Sequence, residues 1–295
     1  VKALRHACVQ SNRKLELVYV EAGDLEKKTE DIDTEKYHLA WGKLCSGDGI
    51  LVPGGFGTRG LEGKIVAIEW ARTKQIPFLG ICLGFQMAVI EHARNILGWE
   101  GAHTTEADPD TKYPVIIDMP EISQTIMGGT QRLGKRRTVF NRDCVTKSLY
   151  GDVEFVDERH RHRYEVNPKN VPAFEESGLH FVGKDVEGER MEILERRGHP
   201  YFCAAQFHPE FLSRPLKPHP MFYGFILASC GKLKALLKKG TPTSERPSSP
   251  AVTTSPTSTH AADDSFSAFQ TVPSPLKFSV TAEQKQQQKP QVATV

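Results

Sequence analysis

Pro77-Phe-Leu-Gly-Ile-Cys82-Leu-Gly-Phe-Gln86 decides the fold. The apolar run up to Ile81 reads as a buried strand, and helical periodicity follows from about Leu83 to Ile96. Between them stands a cysteine with glycine two places before and two places after it. A sharp strand-to-helix turn crowds the backbone at those two places, so this is the cysteine form of a nucleophile elbow. The thiol then lies at a helix N-terminus, where the dipole favours negative charge. The backbone N–H of Leu83 is placed to donate to an oxyanion. The blander alternative is a buried structural cysteine, which is the commoner fate of that residue.

Strands and helices continue outward from the elbow. Leu15 to Val20 and Gly49 to Val52 read as strands, and Leu61 to Thr73 as a helix. Continuous apolar strands alternating with helices imply a doubly wound α/β fold, its mostly parallel sheet flanked by helices. Between about Tyr113 and Gly198 the pattern becomes one of meandering strands: Arg132 to Phe140, Phe155 to Val166 and His180 to Glu195, an added antiparallel hairpin region. Tyr201 to Phe207 returns to the core, and Pro220 to Leu237 reads as one closing helix.

Two further segments bear on the thiol. Gln206-Phe-His208-Pro-Glu210-Phe follows an apolar strand, and residues two apart on a strand point the same way. Glu210 can therefore fix the His208 tautomer and leave the other ring nitrogen for Cys82, the third-member role of a triad. Alone, His-Pro-Glu is more often a surface pair at a strand end; beside an elbow the balance reverses. Val52-Pro-Gly-Gly-Phe-Gly-Thr58-Arg-Gly60 ends another buried strand. It lacks the spacing and lysine of a phosphate loop, but its glycines suit a second oxyanion donor.

Composition bounds the rest. The 295 residues are 39% hydrophobic and 25% charged, with a formal charge of +2. That supports a real core and points to neither nucleic acid nor a membrane surface. No apolar run reaches the roughly 18 residues of a membrane span. Six cysteines without a C-x-x-C pair fit reduced thiols in a cytoplasmic protein and no metal site. The sequence predicts a folded domain over 1–240 and a disordered Ser/Thr/Pro/Gln-rich tail over 241–295 that is dispensable for chemistry. Ser249-Pro250, Ser255-Pro256 and Ser274-Pro275 in that tail are candidate phosphorylation sites, no better supported than chance pairs in a Ser/Pro-rich segment.

Pro-Gly-Gly, Gly-Ile-Cys-Leu-Gly-x-Gln and His-Pro-Glu, in this order, resemble the class I (triad-type) glutamine amidotransferases, which are flavodoxin-like. Pro53-Gly-Gly-Phe-Gly57 with Gly60-Leu-Glu-Gly63, Met127-Gly-Gly-Thr130 with Arg132-Leu-Gly134, Glu158-Arg-His-Arg-His-Arg-Tyr-Glu-Val-Asn167 and Phe207-His-Pro-Glu-Phe211 are similar to the CTP synthase family. Gln131 departs from an apolar position of that motif.

The resemblance implies Cys82 as nucleophile with His208 and Glu210, and oxyanion N–H groups from Gly55 and Leu83. It implies glutamine contacts from Gly55, Leu83, Gly84, Phe85, Gln86, Glu106 and Arg163, with Arg163 on the α-carboxylate and Glu106 on the α-ammonium. It links the loop of Phe56 and Arg59 to activation by GTP. It implies no cofactor in this domain. ATP and magnesium belong to a preceding synthase domain, and the full enzyme forms a homo-tetramer and filaments. Val1 to Val9 matches the helix after the family's first strand, so the chain reads as a fragment with a bared sheet edge. The rival readings are another class I amidotransferase, a related elbow cysteine hydrolase, and an inactive filament subunit.

Overall fold

The computed structural model describes residues 1–119, 132–239 and 291–294. The motif Met127–Thr130, Gln131 and the Ser-Pro pairs lie outside these residues. The chain opens with α1 (Lys2–Gln10), β1 (Glu16–Tyr19), α2 (Lys27–Ile32), α3 (Thr34–Cys45) and β2 (Gly49–Val52). α4 (Leu61–Lys74), β3 (Phe78–Ile81) and α5 (Leu83–Asn95) follow. The middle carries β4 (His103–Thr104), β5 (Pro114–Asp118), β6 (Arg132–Phe140), α6 (Val145–Leu149), β7 (Phe155–His162), β8 (Tyr164–Val166) and α7 (Val171–Glu176). β9 (Leu179–Lys184), β10 (Met191–Arg196) and β11 (Phe202–Ala205) lead to α8 (Pro220–Ser229), α9 (Leu233–Lys239) and a terminal β12 (Gln291–Thr294).

Among the described residues, nine strands form the main sheet in the order β1-β12-β2-β3-β11-β10-β9-β6-β7. The half from β1 to β11 is parallel; from β11 to β7 every pairing is antiparallel. β4, β5 and β8 form a small second sheet. β2 and β3 are buried at every position, because helices cover both faces. Leu44, Ile65, Ile68 and Met87 fill one layer with Ile50. Leu4, Phe222, Phe225 and Ile226 fill the other with Leu51. Among the described residues no helix is long and apolar enough to cross a membrane.

Three expectations change. Phe155 to Val166 is two strands in two different sheets, and the break falls at Arg163. The closing helix is two helices, divided where Gly231 takes φ +67°, a conformation glycine adopts without steric penalty. Within the span expected to be a disordered tail, Gln291–Thr294 is a strand between β1 and β2. Lys2–Gln10 is helical, and β12 lies between β1 and β2.

Candidate active site

β3 delivers Cys82 to the first turn of α5 with φ +52° and ψ −97°. Such a conformation costs a non-glycine residue on the order of 1–3 kcal/mol and persists only when its surroundings hold it. The Cys82 N–H donates to Ala205 O at 2.7 Å, and Gln86 N–H donates to Cys82 O at 3.2 Å. The two glycines do what the spacing predicts. A Cβ on Gly84 would lie 2.1 Å from Val52 O, and one on Gly80 would lie 2.8 Å from Gly84 O.

The Cys82 side chain is buried, and its S–H points to Arg161 O at 3.8 Å. His208 follows β11 and is tied to β7 by its backbone N–H, which donates to Arg159 O at 2.8 Å. Its Nδ1 lies 2.8 Å from Glu210 Oε1. A carboxylate only accepts, so Nδ1 carries the proton and Nε2 is left for the thiol. Burial alone would disfavour the imidazolium, but contacts with Cys82 and Glu210 outweigh it and raise the His208 pKa to about 10. Gly54 is the floor of this pair. A Cβ there would lie 2.9 Å from His208 Cε1 and 3.3 Å from Cys82 Cβ.

A cavity of about 370 Å³ opens from Cys82 and is lined by Gly55, Gln86, Glu106, Arg163 and Tyr164. That size suits a small-molecule site. Cys82, Gly55, Gln86, Glu106 and Arg163, expected from sequence as catalytic or glutamine-binding residues, thus meet in one cleft, joined by Phe56. Gln86 Nε2 donates to Tyr164 O at 3.1 Å and to Gln206 Oε1 at 3.3 Å. Burial raises the Glu106 carboxyl pKa, against the Gly57 amide and the Arg163 charge. Arg163 Nε is buried and unpaired, so a ligand carboxylate would supply a partner it lacks.

Other expected residues stand elsewhere. The Phe85 side chain is fully buried in the core against Phe181, so it does not line the cleft. Gly84 serves the turn. Leu83 is buried, and its Cδ2 lies 3.3 Å from where a Cβ on Gly55 would sit, so the two expected oxyanion donors are neighbours. Phe56 and Arg59 do not share a site. Phe56 borders the cleft with the Arg161 guanidinium 5.2 Å from its ring. Arg59 lines a separate cavity of about 550 Å³ and pairs with Glu21 at 3.0 Å. In β7 the alternation is simple: Glu158, His160 and His162 are buried, Arg159 and Arg161 exposed. Burial drives His160 and His162 down to about 2 and about 3, so both are neutral.

One residue escaped the sequence reading. Gln206 is buried, and its Nε2 points to Cys82 Sγ at 3.8 Å while its Oε1 accepts from Gln86. It stands two before His208, so the period-two argument that paired His208 with Glu210 also places it on the catalytic face. Burial raises Cys8 to about 11 and Cys144 to about 12, and also raises Cys45 and Cys203.

Residues 1–228 match the family model for glutamine amidotransferase class-I. The chain is 58% identical over 241 residues to CTP synthase 1 of Danio rerio, covering 81% of this chain and 41% of that one. It is 56% identical over 241 residues to CTP synthase 1 of Homo sapiens, with the same coverage. The chain therefore spans about two fifths of the length of the curated relatives it matches. Among solved structures, the glutaminase domain of Trypanosoma brucei CTPS with bound acivicin aligns with TM-score 0.71 and 33% identity, over 78% of this chain and 86% of that one.

Proposed function

The chain belongs to the class-I glutamine amidotransferase family, among the glutaminase domains of CTP synthases, and from that premise we propose that it hydrolyses L-glutamine to glutamate and ammonia. The observation that carries the reading is one cleft with Cys82 on one wall and, on another, Glu106 with Arg163, whose buried Nε has no partner. A free amino acid presents an ammonium and a carboxylate at fixed separation from its side-chain amide. A peptide substrate would not present both.

In the mechanism we infer, Cys82 thiolate attacks the amide carbon while the backbone N–H groups of Gly55 and Leu83 hold the oxyanion. Protonated His208 gives its proton to the departing nitrogen, which leaves as ammonia with a γ-glutamyl thioester on Cys82. Neutral His208 then takes a proton from water, hydroxide adds to the thioester, and glutamate leaves as the thiolate returns. Glu210 keeps the imidazole in the tautomer that both steps need.

Within a longer enzyme, the ammonia would aminate UTP, activated by ATP and magnesium in a synthase domain, to give CTP in the cytoplasm. Homo-tetramers and filaments are the assemblies that reading implies. A guanine nucleotide activating through Arg59 would have to compete with Glu21 for its guanidinium. The test is ammonia release from L-glutamine by the chain, alone and with an added synthase domain, ATP, UTP and GTP. Turnover that Cys82→Ala abolishes supports the reading; turnover unaffected by that change overturns it.

A further inference from the structure

Glu192 is a buried carboxylate that the proposed chemistry does not use. From Met191 to Ile193 β10 advances two residues while its partner β9 advances one, from Lys184 to Gly183. Glu192 is thus the extra residue of a bulge, a device that re-aims a side chain. Its Oε1 accepts from the Arg132 guanidinium at 2.8 Å and its Oε2 from the Thr138 hydroxyl at 2.6 Å. Both oxygens accept, which is the arrangement of an ionised carboxylate. The backbone of the same residue reaches the catalytic face, since Gln206 N–H donates to Glu192 O at 2.9 Å.

A pair of imidazoles faces that carboxylate. Tyr164 O can only accept, so His162 donates to it from Nδ1 at 3.0 Å. His162 is neutral, so its Nε2 carries a lone pair and accepts from His160 Nδ1–H at 3.1 Å. His160 is neutral as well, so its Nε2 also carries a lone pair. That nitrogen is buried without a hydrogen bond, 3.7 Å from Glu192 Oε1. Two acceptors face each other, and a proton on Glu192 would turn the gap into a hydrogen bond. Closing it to about 2.9 Å draws His160 toward β10. The carbonyls on either side of His160 are the ones that hold the catalytic pair, Arg159 O on His208 N–H and Arg161 O on the Cys82 thiol.

We propose that Glu192 is a positioning residue with two settings: ionised, it anchors on Arg132 and Thr138 and leaves β7 in place against Cys82 and His208; protonated, it donates to His160 Nε2 and shifts β7 against them. Its effect on turnover rests on the glutaminase reading. Burial raises the Glu192 carboxyl to about 7 against the Thr138 and Arg132 contacts, and Asp185, just after β9, adds to the rise. Arg190 pairs with Asp185 at 3.7 Å and with Glu165 at 2.7 Å. His162, Arg132, His208 and Arg136 all disfavour charge on His160, so the proton stays on the carboxyl. The change of setting therefore falls near neutral pH, with the anchored setting above it.

Nitrogen-15 NMR of the full chain labelled at histidine reads the new hydrogen bond without any variant or turnover. The His160 Nε2 resonance should move as pH falls through about 7. A resonance that stays constant from about one unit above that value to about one unit below it would overturn the proposal. Wild-type kcat should fall roughly three- to tenfold across the same step, with the glutamine KM unchanged. Glu192→Gln holds the protonated setting, because its amide can accept from Thr138 and donate to His160, so its kcat should sit at the low value throughout. Alkylation of Cys82 by iodoacetamide, which needs no glutamine, should show the step in wild type and none in Glu192→Gln. That pattern without glutamine turnover supports the positioning role and overturns the glutaminase reading. Turnover and alkylation without a step, or a step that survives in Glu192→Gln, overturns the proposal and leaves the glutaminase reading intact.

Discussion

The two halves of the main sheet divide the labour. The parallel half ends at its carboxyl edge in Val52, Ile81 and Ala205, from which the chain supplies the Gly54–Gly55 floor, Cys82 and His208. The antiparallel region and the small sheet supply Arg163, Tyr164 and Glu106. In the proposed reaction, bond making would rest on strands buried on both faces, whose ends are held by core packing, and recognition on shorter segments between sheets. Loss of a group from the first half should therefore strike kcat, and loss from the second should strike KM.

The sharpest form of this contrast is His208→Ala against Arg163→Ala. His208→Ala should lower kcat by about three orders of magnitude or more, whereas Glu210→Gln should cost roughly one to two orders less, because the carboxylate only orients the ring. Equal losses would contradict those roles. Glu210→Gln should also move the alkaline limb of the pH profile downward, since Glu210 helps raise His208 to about 10. Folding stability from the charged His208 is full below the unfolded value near 6.5 and fades as pH rises through about 10, and Tm against pH reads it.

Gly54→Ala comes next. Its Cβ would displace the His208 ring, which is a movable side-chain end, so kcat should fall at least about tenfold while the fold survives. Circular dichroism and kinetics together separate the two; wild-type kcat would remove Gly54 from the catalytic floor. Arg163→Ala should raise the glutamine KM by roughly ten- to a hundredfold, the worth of a charged hydrogen-bond pair, with little change in kcat. An unchanged KM would break the division of labour. Gln206→Leu should give the smallest effect, a kcat loss of about two- to tenfold with KM nearly constant. Slower alkylation of Cys82 by iodoacetamide would tie that loss to the sulfur; unchanged alkylation would leave Gln206 a packing residue.

Most of the parallel half was legible because its strands are continuous apolar runs and its turn needs glycine at fixed places. Gly80 and Gly84 announce the elbow through a steric demand that any sequence would have to meet. The recognition half was harder. Arg163 was placed by family resemblance, since nothing in the run from Arg159 to Arg163 singles out the guanidinium whose Nε is buried beside the cleft from its more exposed neighbours Arg159 and Arg161. Phe85 was drawn toward the substrate by its neighbours, although its position on α5 turns it into the core. α2 and α3 were not foreseen, because polar residues dominate both and only Ala40 and Leu44 in α3 are buried. β12 was illegible for a different reason. Four residues in a polar tail carry no periodicity, and their place is set by a gap elsewhere in the chain.

The most direct test of the central claim is covalent labelling of the full chain with a glutamine-like electrophile, read by peptide mass spectrometry. The account predicts a single adduct on Cys82, suppressed by L-glutamine, while the raised thiols of Cys8, Cys45, Cys144 and Cys203 stay unmodified. Preferential labelling of Cys45 or Cys203, or labelling of Cys82 that glutamine does not slow, would contradict it.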